Sequence, residues 1–92
     1  MGKVFSSEEL RALGDFCKRH DLILCSDEIH CDLVLSPHKR HVPLAALQDE
    51  ALLARSITLH APSKTYNVPG LCCSYAVIPD PDLRHRFKKA AR

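Results

Sequence analysis

The apolar positions change period along the chain, and each change marks an element. Leu10, Leu13, Phe16, Cys17 and His20 recur at helical spacing. Ser6 precedes them with Glu9 three residues on, the reciprocal cap that opens a helix. The helix is expected to end near His20-Asp21. Gly14 inside it costs about 1 kcal/mol relative to alanine, which implies close packing there, against a sheet. Leu22-Ile23-Leu24-Cys25 then forms a continuous apolar run, the pattern of a strand buried on both faces. It gives way to polar Ser26-Asp27-Glu28. A helix, a buried strand and polar residues at the strand's carboxyl end make an α/β unit, and open α/β sheets bind ligands at that end.

Val34 and Leu35 lead to a turn at Ser36-Pro37, and the basic, polar stretch from Pro37 to Pro43 reads as surface loop. Pro43 to Arg55 is helical in composition, with Leu44, Leu47, Leu52 and Leu53 apolar and Asp49-Glu50 near a helical start. Ile57-Thr58-Leu59 is a short buried strand that Pro62 breaks, and Pro69-Gly70 supply turn chemistry beyond it. Cys72 to Ile78 is a third strand with imperfect alternation. Asp80 caps a last helix with Pro81 at its first position and Leu83 and Phe87 four apart. Met1 to Phe5 is a stub with two apolar residues and nothing before them to pair with.

Ninety-two residues allow one small domain. The net charge of +2 is spread thinly; only Arg84, Arg86, Lys88, Lys89 and Arg92 cluster, on the last helix. With five aromatic residues and no broad basic stripe, no nucleic-acid partner is expected. The longest uncharged run, Val68 to Pro79, is broken by proline and glycine and too short to span a bilayer, so no membrane partner is expected. Five cysteines, an odd number with no secretory leader before them, point to a reducing, cytoplasmic location.

Two residues stand where chemistry is placed. Lys64 follows the strand that ends at Leu59, and a flexible cation there gains little unless something binds it. A partly desolvated amine becomes nucleophilic and suits Schiff-base formation with an aldehyde cofactor; the alternative is a lysine that snorkels to water. Asp27, at the end of the first strand, is either a site carboxylate or a cap for the turn Ile29–Cys31.

Ser26-Asp27-Glu28-Ile29-His30-Cys31-Asp32-Leu33-Val34, with Ala61-Pro62-Ser63-Lys64-Thr65-Tyr66-Asn67 and Gly70-Leu71 after it, resembles the class I/II aminotransferase family of fold-type I pyridoxal-phosphate enzymes. Within it the chain is most similar to the cystathionine β-lyase, or cysteine-S-conjugate β-lyase, branch, which includes a modulator of the maltose regulon. The resemblance implies a fragment of a three-layer α/β/α large domain spanning residues 1–92. The cofactor would be pyridoxal 5'-phosphate, the substrate a small-molecule amino acid, and the parent a homodimer. It also implies that Asp27 pairs with the pyridine nitrogen and that Lys64 carries the cofactor and then acts as general base. Many members have a tyrosine, bonded to the cofactor's phenolic oxygen, where this chain has His30, as in the lyase branch. His30 is either that contact or a histidine satisfied by backbone. Where many members hold the phosphate with an arginine eight residues after the lysine, this chain has Cys72, which leaves Ser63 as the candidate phosphate contact.

Gly2-Lys3-Val4 looks like the end of the family's Asn-Pro-x-Gly loop, so the chain is expected to begin inside a motif. The small domain and the N-terminal part of the large domain are then absent, and the isolated chain is expected to lack activity. The implied reaction is C–S β-elimination to thiol, pyruvate and ammonia, with transamination as the alternative. Two other classes compete: a metal module using Cys25, His30, Cys31, His38, His41 and Cys72-Cys73, which lacks paired finger spacing, and a non-enzymatic binding fragment that uses its exposed sheet edges.

Overall fold

The computed structural model describes residues 2–91; Met1, in the expected stub, and Arg92, in the basic cluster, lie outside them. Helix α1 (Ser7–Arg19) begins as the sequence dictates. The Ser6 hydroxyl accepts the Glu9 N–H, and the Glu9 carboxylate accepts the Ser6 N–H at 2.9 Å. Both orphan donors of the first turn are thereby satisfied. After α1 the chain forms β1 (Leu24–Asp27), a 3-10 turn (Leu44–Leu47), α2 (Glu50–Leu53), β2 (Ser56–His60), a second 3-10 turn (Pro69–Leu71), β3 (Tyr75–Val77) and α3 (Pro81–Ala90).

The sheet has the order β1-β2-β3. β1 and β2 run parallel, with Leu24 opposite Ser56 and Asp27 opposite Leu59; β3 returns antiparallel, with Leu59 opposite Ala76 and His60 opposite Tyr75. Both carboxyl ends of the parallel pair therefore lie at one end of the sheet. One face is covered by α1, the first 3-10 turn and α2, around a core of Leu44, Leu47 and Leu52 joined by Leu10, Leu24 and Val42. Each fully buried leucine contributes about 1.5–3 kcal/mol. Asp49 fastens this layer: it caps α2 at the Leu52 N–H (3.0 Å) and holds Lys18 Nζ of α1 at 2.7 Å. On the other face, Phe87 of α3 borders a cavity with Asp27, Leu59 and Ala76.

Four expectations need correction. The first strand is not Leu22–Cys25 buried on both faces; it is Leu24–Asp27 with alternating burial, while Leu22, Ile23 and Cys25 are exposed. The apolar run implied two covering layers, and among the described residues only one face of β1 has its cover. Gly14 does mark close packing, but against a helix: a β-carbon there would stand 2.6 Å from Leu52 Cδ2 of α2. Finally, the helix expected over Pro43–Arg55 is split at Gln48, whose φ of 53° is left-handed. Asp49 restarts it as a four-residue helix. The third strand is shorter than expected, because Cys72 (φ 46°) is also left-handed and delays pairing until Tyr75.

Candidate active site at the carboxyl ends of the parallel strands

Asp27 is the last residue of β1 and is exposed. Its Oδ1 accepts the Ile29 N–H at 3.2 Å, so the carboxylate does cap the turn that follows. Among the described residues Oδ2 is not engaged, and one oxygen can serve the turn while the other faces a ligand. Asp27 borders two cavities. One, of about 370 Å³, also meets Lys3, His30, Cys31 and His41; the other, of about 380 Å³, meets His60, Ala61, Ser74 and Tyr75. Both volumes fall within the range of small-ligand sites.

Beyond β2, residues 62–67 form a run of tight turns. The Tyr66 N–H bonds to the Pro62 carbonyl and the Val68 N–H to the Ser63 carbonyl, both at 3.0 Å, so Ser63 and Lys64 sit inside a hydrogen-bonded loop. Asn67 (φ 51°) supplies its left-handed position. Ser63 is half-buried. Lys64 is exposed, so the desolvation expected of its amine is not present in this chain. Its loop is nonetheless tied to the Asp27 end: Thr65 Oγ1 donates to Asp32 Oδ2 at 3.1 Å, across 33 residues of sequence. The Glu28 N–H donates to the Leu59 carbonyl at 2.9 Å, carrying the parallel pairing one step past β1.

His30 lies exposed in the turn after β1 and lines the cavity that Asp27 and His41 share. Cys72, in the family's arginine position, is exposed with its thiol toward the Pro69 carbonyl at 3.8 Å. Burial, followed by the neighbouring Asp32, pushes the Cys31 thiol pKa up. Among the described residues no three histidine, cysteine, aspartate or glutamate side chains converge as metal ligands.

The sequence reading missed Glu28. Strand alternation turns it to the face opposite Asp27, and its residue exposure is only 4%. Oε1 accepts the Leu44 N–H (2.9 Å) and the Ser26 hydroxyl (3.1 Å); Oε2 lies 3.1 Å from His41 Nε2 and 3.7 Å from His60 Nε2. Burial works to raise its pKa, but the Leu44 N–H, His41 and Ser26 outweigh it and hold the carboxyl below its ordinary value. His60 in turn stacks on Tyr75 across β2 and β3, with ring centroids 5.3 Å apart. The signal was present: an acidic pair at a strand end must send one member to each face.

The family model for aminotransferase class I and II matches residues 1–92. The chain belongs to this family. Among curated members it is 45% identical to cystathionine beta-lyase PatB of Bacillus subtilis, over 94% of this chain and 22% of that protein. It is 34% identical to the protein MalY of Escherichia coli over 99% of this chain and 22% of that protein. Of solved structures, OvoB superposes with a TM-score of 0.88 at 56% identity, covering 96% of this chain and 23% of that one. Cystalysin from Treponema denticola, whose structure contains pyridoxal 5'-phosphate, gives 0.88 at 40% identity, covering 98% of this chain and 22% of that one. The α/β fold expected from the sequence is thus the fold of a corresponding piece of these enzymes, and the chain spans about 22% of the length of the curated relatives it matches. Among the described residues no helix is long and apolar enough to cross a membrane.

Proposed function

We propose that residues 1–92 are a partial cofactor-binding large domain of a pyridoxal-phosphate-dependent cysteine-S-conjugate or cystathionine β-lyase. The observation that carries this reading is the meeting of a carboxylate and a lysine loop at one end of a parallel strand pair, Asp27 closing β1 and Lys64 following β2. The donor set fits the cofactor. Asp27 has an oxygen free for a cationic ring nitrogen, Lys64 offers an exposed amine, and small-ligand cavities adjoin the carboxylate. Bound there, the cofactor supplies an aldehyde for the amine and a ring that absorbs the electrons of a carbanion.

The residues then have distinct tasks. Lys64 would hold the cofactor's aldehyde through Nζ, and with the substrate amine in its place the free Nζ would be the base for the substrate's Cα proton. Asp27 keeps a proton on the pyridine nitrogen through its carboxylate. His30, on the cavity that Asp27 borders, would be the partner for the phenolic oxygen, and the Ser63 hydroxyl would be the partner for the phosphate. The β-lyase reading draws on the names of the similar proteins cystathionine beta-lyase PatB and the C-S lyase of Staphylococcus hominis and on His30 in the tyrosine position. A transaminase reading draws on kynurenine–oxoglutarate transaminase 3 of rat, 33% identical over 92% of this chain. The parent is proposed to be a cytoplasmic homodimer acting on a small-molecule amino acid substrate.

Reductive trapping tests the site. Pyridoxal phosphate and borohydride should label Lys64 by peptide mapping, Lys64→Ala should abolish the label, and Asp27→Asn should weaken it. Labelling elsewhere, or none, would overturn the assignment. Release of thiol and pyruvate from a cysteine conjugate by the longer protein would support the lyase, whereas keto-acid-dependent amino transfer would support the transaminase. The 92 residues alone are expected to give no turnover; turnover near that of the longer protein would sink the partial-domain reading.

A further inference from the structure

Glu28 is a buried carboxylate that none of the proposed chemistry uses. Three groups lie within hydrogen-bond distance of it, Ser26 of β1, His41 of the loop before the first 3-10 turn and Leu44 at the start of that turn, and a fourth, His60 at the end of β2, stands 3.7 Å away. A buried charge is costly unless it is paired, and a side chain this enclosed persists only when its partners hold it. Here the partners are the segments that frame the site. Glu28 follows Asp27 directly, and its own N–H reaches Leu59 of β2. His60, facing its Oε2, is the last residue of β2 and lies four residues before Lys64. His60 thus has Glu28 Oε2 as one neighbour and the stacked ring of Tyr75 on β3 as another, so the end of β2 is linked to both flanking strands.

We propose that Glu28 is a positioning residue for the lysine loop: its carboxylate locks the carboxyl ends of β1 and β2 together and so fixes Lys64 relative to Asp27. The proposal rests on the reading of Asp27 and Lys64 as the cofactor pair, but the lock is a property of this chain alone. No role toward the cofactor is assigned to Glu28, which acts through His60 and the end of β2. The titratable and charged groups around it are Lys3, Cys25, Asp27, His30, Cys31 and His41, which border the same cavity, and His60 from β2.

Amide measurements on the full chain test it. Leu44 reports on the carboxylate directly, and Tyr66 and Val68 report on the lysine loop. Glu28→Ala should speed hydrogen exchange at all three amides about tenfold, the low end of what a hydrogen bond to a charged group is worth. Glu28→Gln, which keeps an oxygen for the Leu44 N–H, should restore part of the protection. If Glu28→Ala does not fold, His41→Phe removes one partner and leaves the carboxylate in place, and should speed the same loop amides. A pH profile separates positioning from mere packing. In an Asp32→Asn background, which removes the carboxylate that touches the loop directly, the Tyr66 and Val68 shifts should titrate with the Leu44 midpoint and lose that titration in Glu28→Gln. Loop amides indifferent to Glu28 while Leu44 responds would overturn the proposal. Responsive loop amides with no labelling of Lys64 by pyridoxal phosphate would confirm the lock and defeat the cofactor reading instead.

Discussion

Replacing Gly14 by alanine sets two opposed effects against each other, and the structure decides between them. In an exposed helix interior the change stabilises by about 1 kcal/mol, because alanine loses less backbone entropy on folding. In α1 the new β-carbon would stand 2.6 Å from Leu52 Cδ2 and 3.3 Å from Cδ1. Carbon atoms in favourable contact sit at about 3.5–4.0 Å, so the first overlap is severe. A flexible exposed side chain would swing away, but Leu52 is 0% exposed and enclosed by Leu44 and Leu47. Overpacking of this kind costs about 1–3 kcal/mol. The net expectation is a loss of about 1 kcal/mol, which lowers the melting temperature of a domain this size by about 4–8 °C. Urea unfolding measures it, and a double-mutant cycle identifies the cause. Leu52→Val has no δ-carbons, so in that background Gly14→Ala should change sign and stabilise, giving a coupling of at least about 1 kcal/mol. A stabilising Gly14→Ala in the unaltered chain, or no coupling, would refute the close contact of α1 and α2.

Acid should weaken the fold in part through Glu28. Its folded pKa is depressed below the ordinary 4.5, so its contribution is complete above that value and is lost as pH falls through the lower folded one. The urea midpoint should fall as pH drops below about 4.5, and less steeply in Glu28→Gln; identical pH dependence in the two proteins would contradict this. Thr65→Val removes the hydroxyl that bonds Asp32 at 3.1 Å. As a solvent-accessible bond it should cost about 1 kcal/mol or less in stability, yet slow reductive labelling of Lys64 several-fold; an unchanged labelling rate would mean the bond does not order the loop.

Local signals in the sequence were read well where one residue and its near neighbours decide the outcome. The Ser6–Glu9 box and the Asp80 cap, whose Oδ2 accepts the Leu83 N–H at 2.7 Å, are set within four residues. So is the delivery of Lys64 past a strand that Pro62 ends. Errors came where a distant layer decides. Leu22 and Ile23 read as core, but covering them takes chain that lies beyond their own neighbours. The partner of Gly14 is Leu52, 38 residues away, which no local pattern names. At the candidate site, the placement of Asp27 at the end of one strand and of Lys64 beyond another was legible from the sequence, whereas the Glu28 network and the Asp32–Thr65 bond needed the register of the strands.

The pairing of His60 with Tyr75 closes the chain segment that holds Lys64 into a ring, with β2 and the three-residue β3 as its two ends. Any molecule that quiets this ring also lowers the entropy lost when β3 docks, since the ends of an ordered span are already near each other. Occupancy at the lysine should therefore be felt by α3, which begins four residues after β3 ends. The terminal helix becomes a remote gauge of whether the amine is engaged.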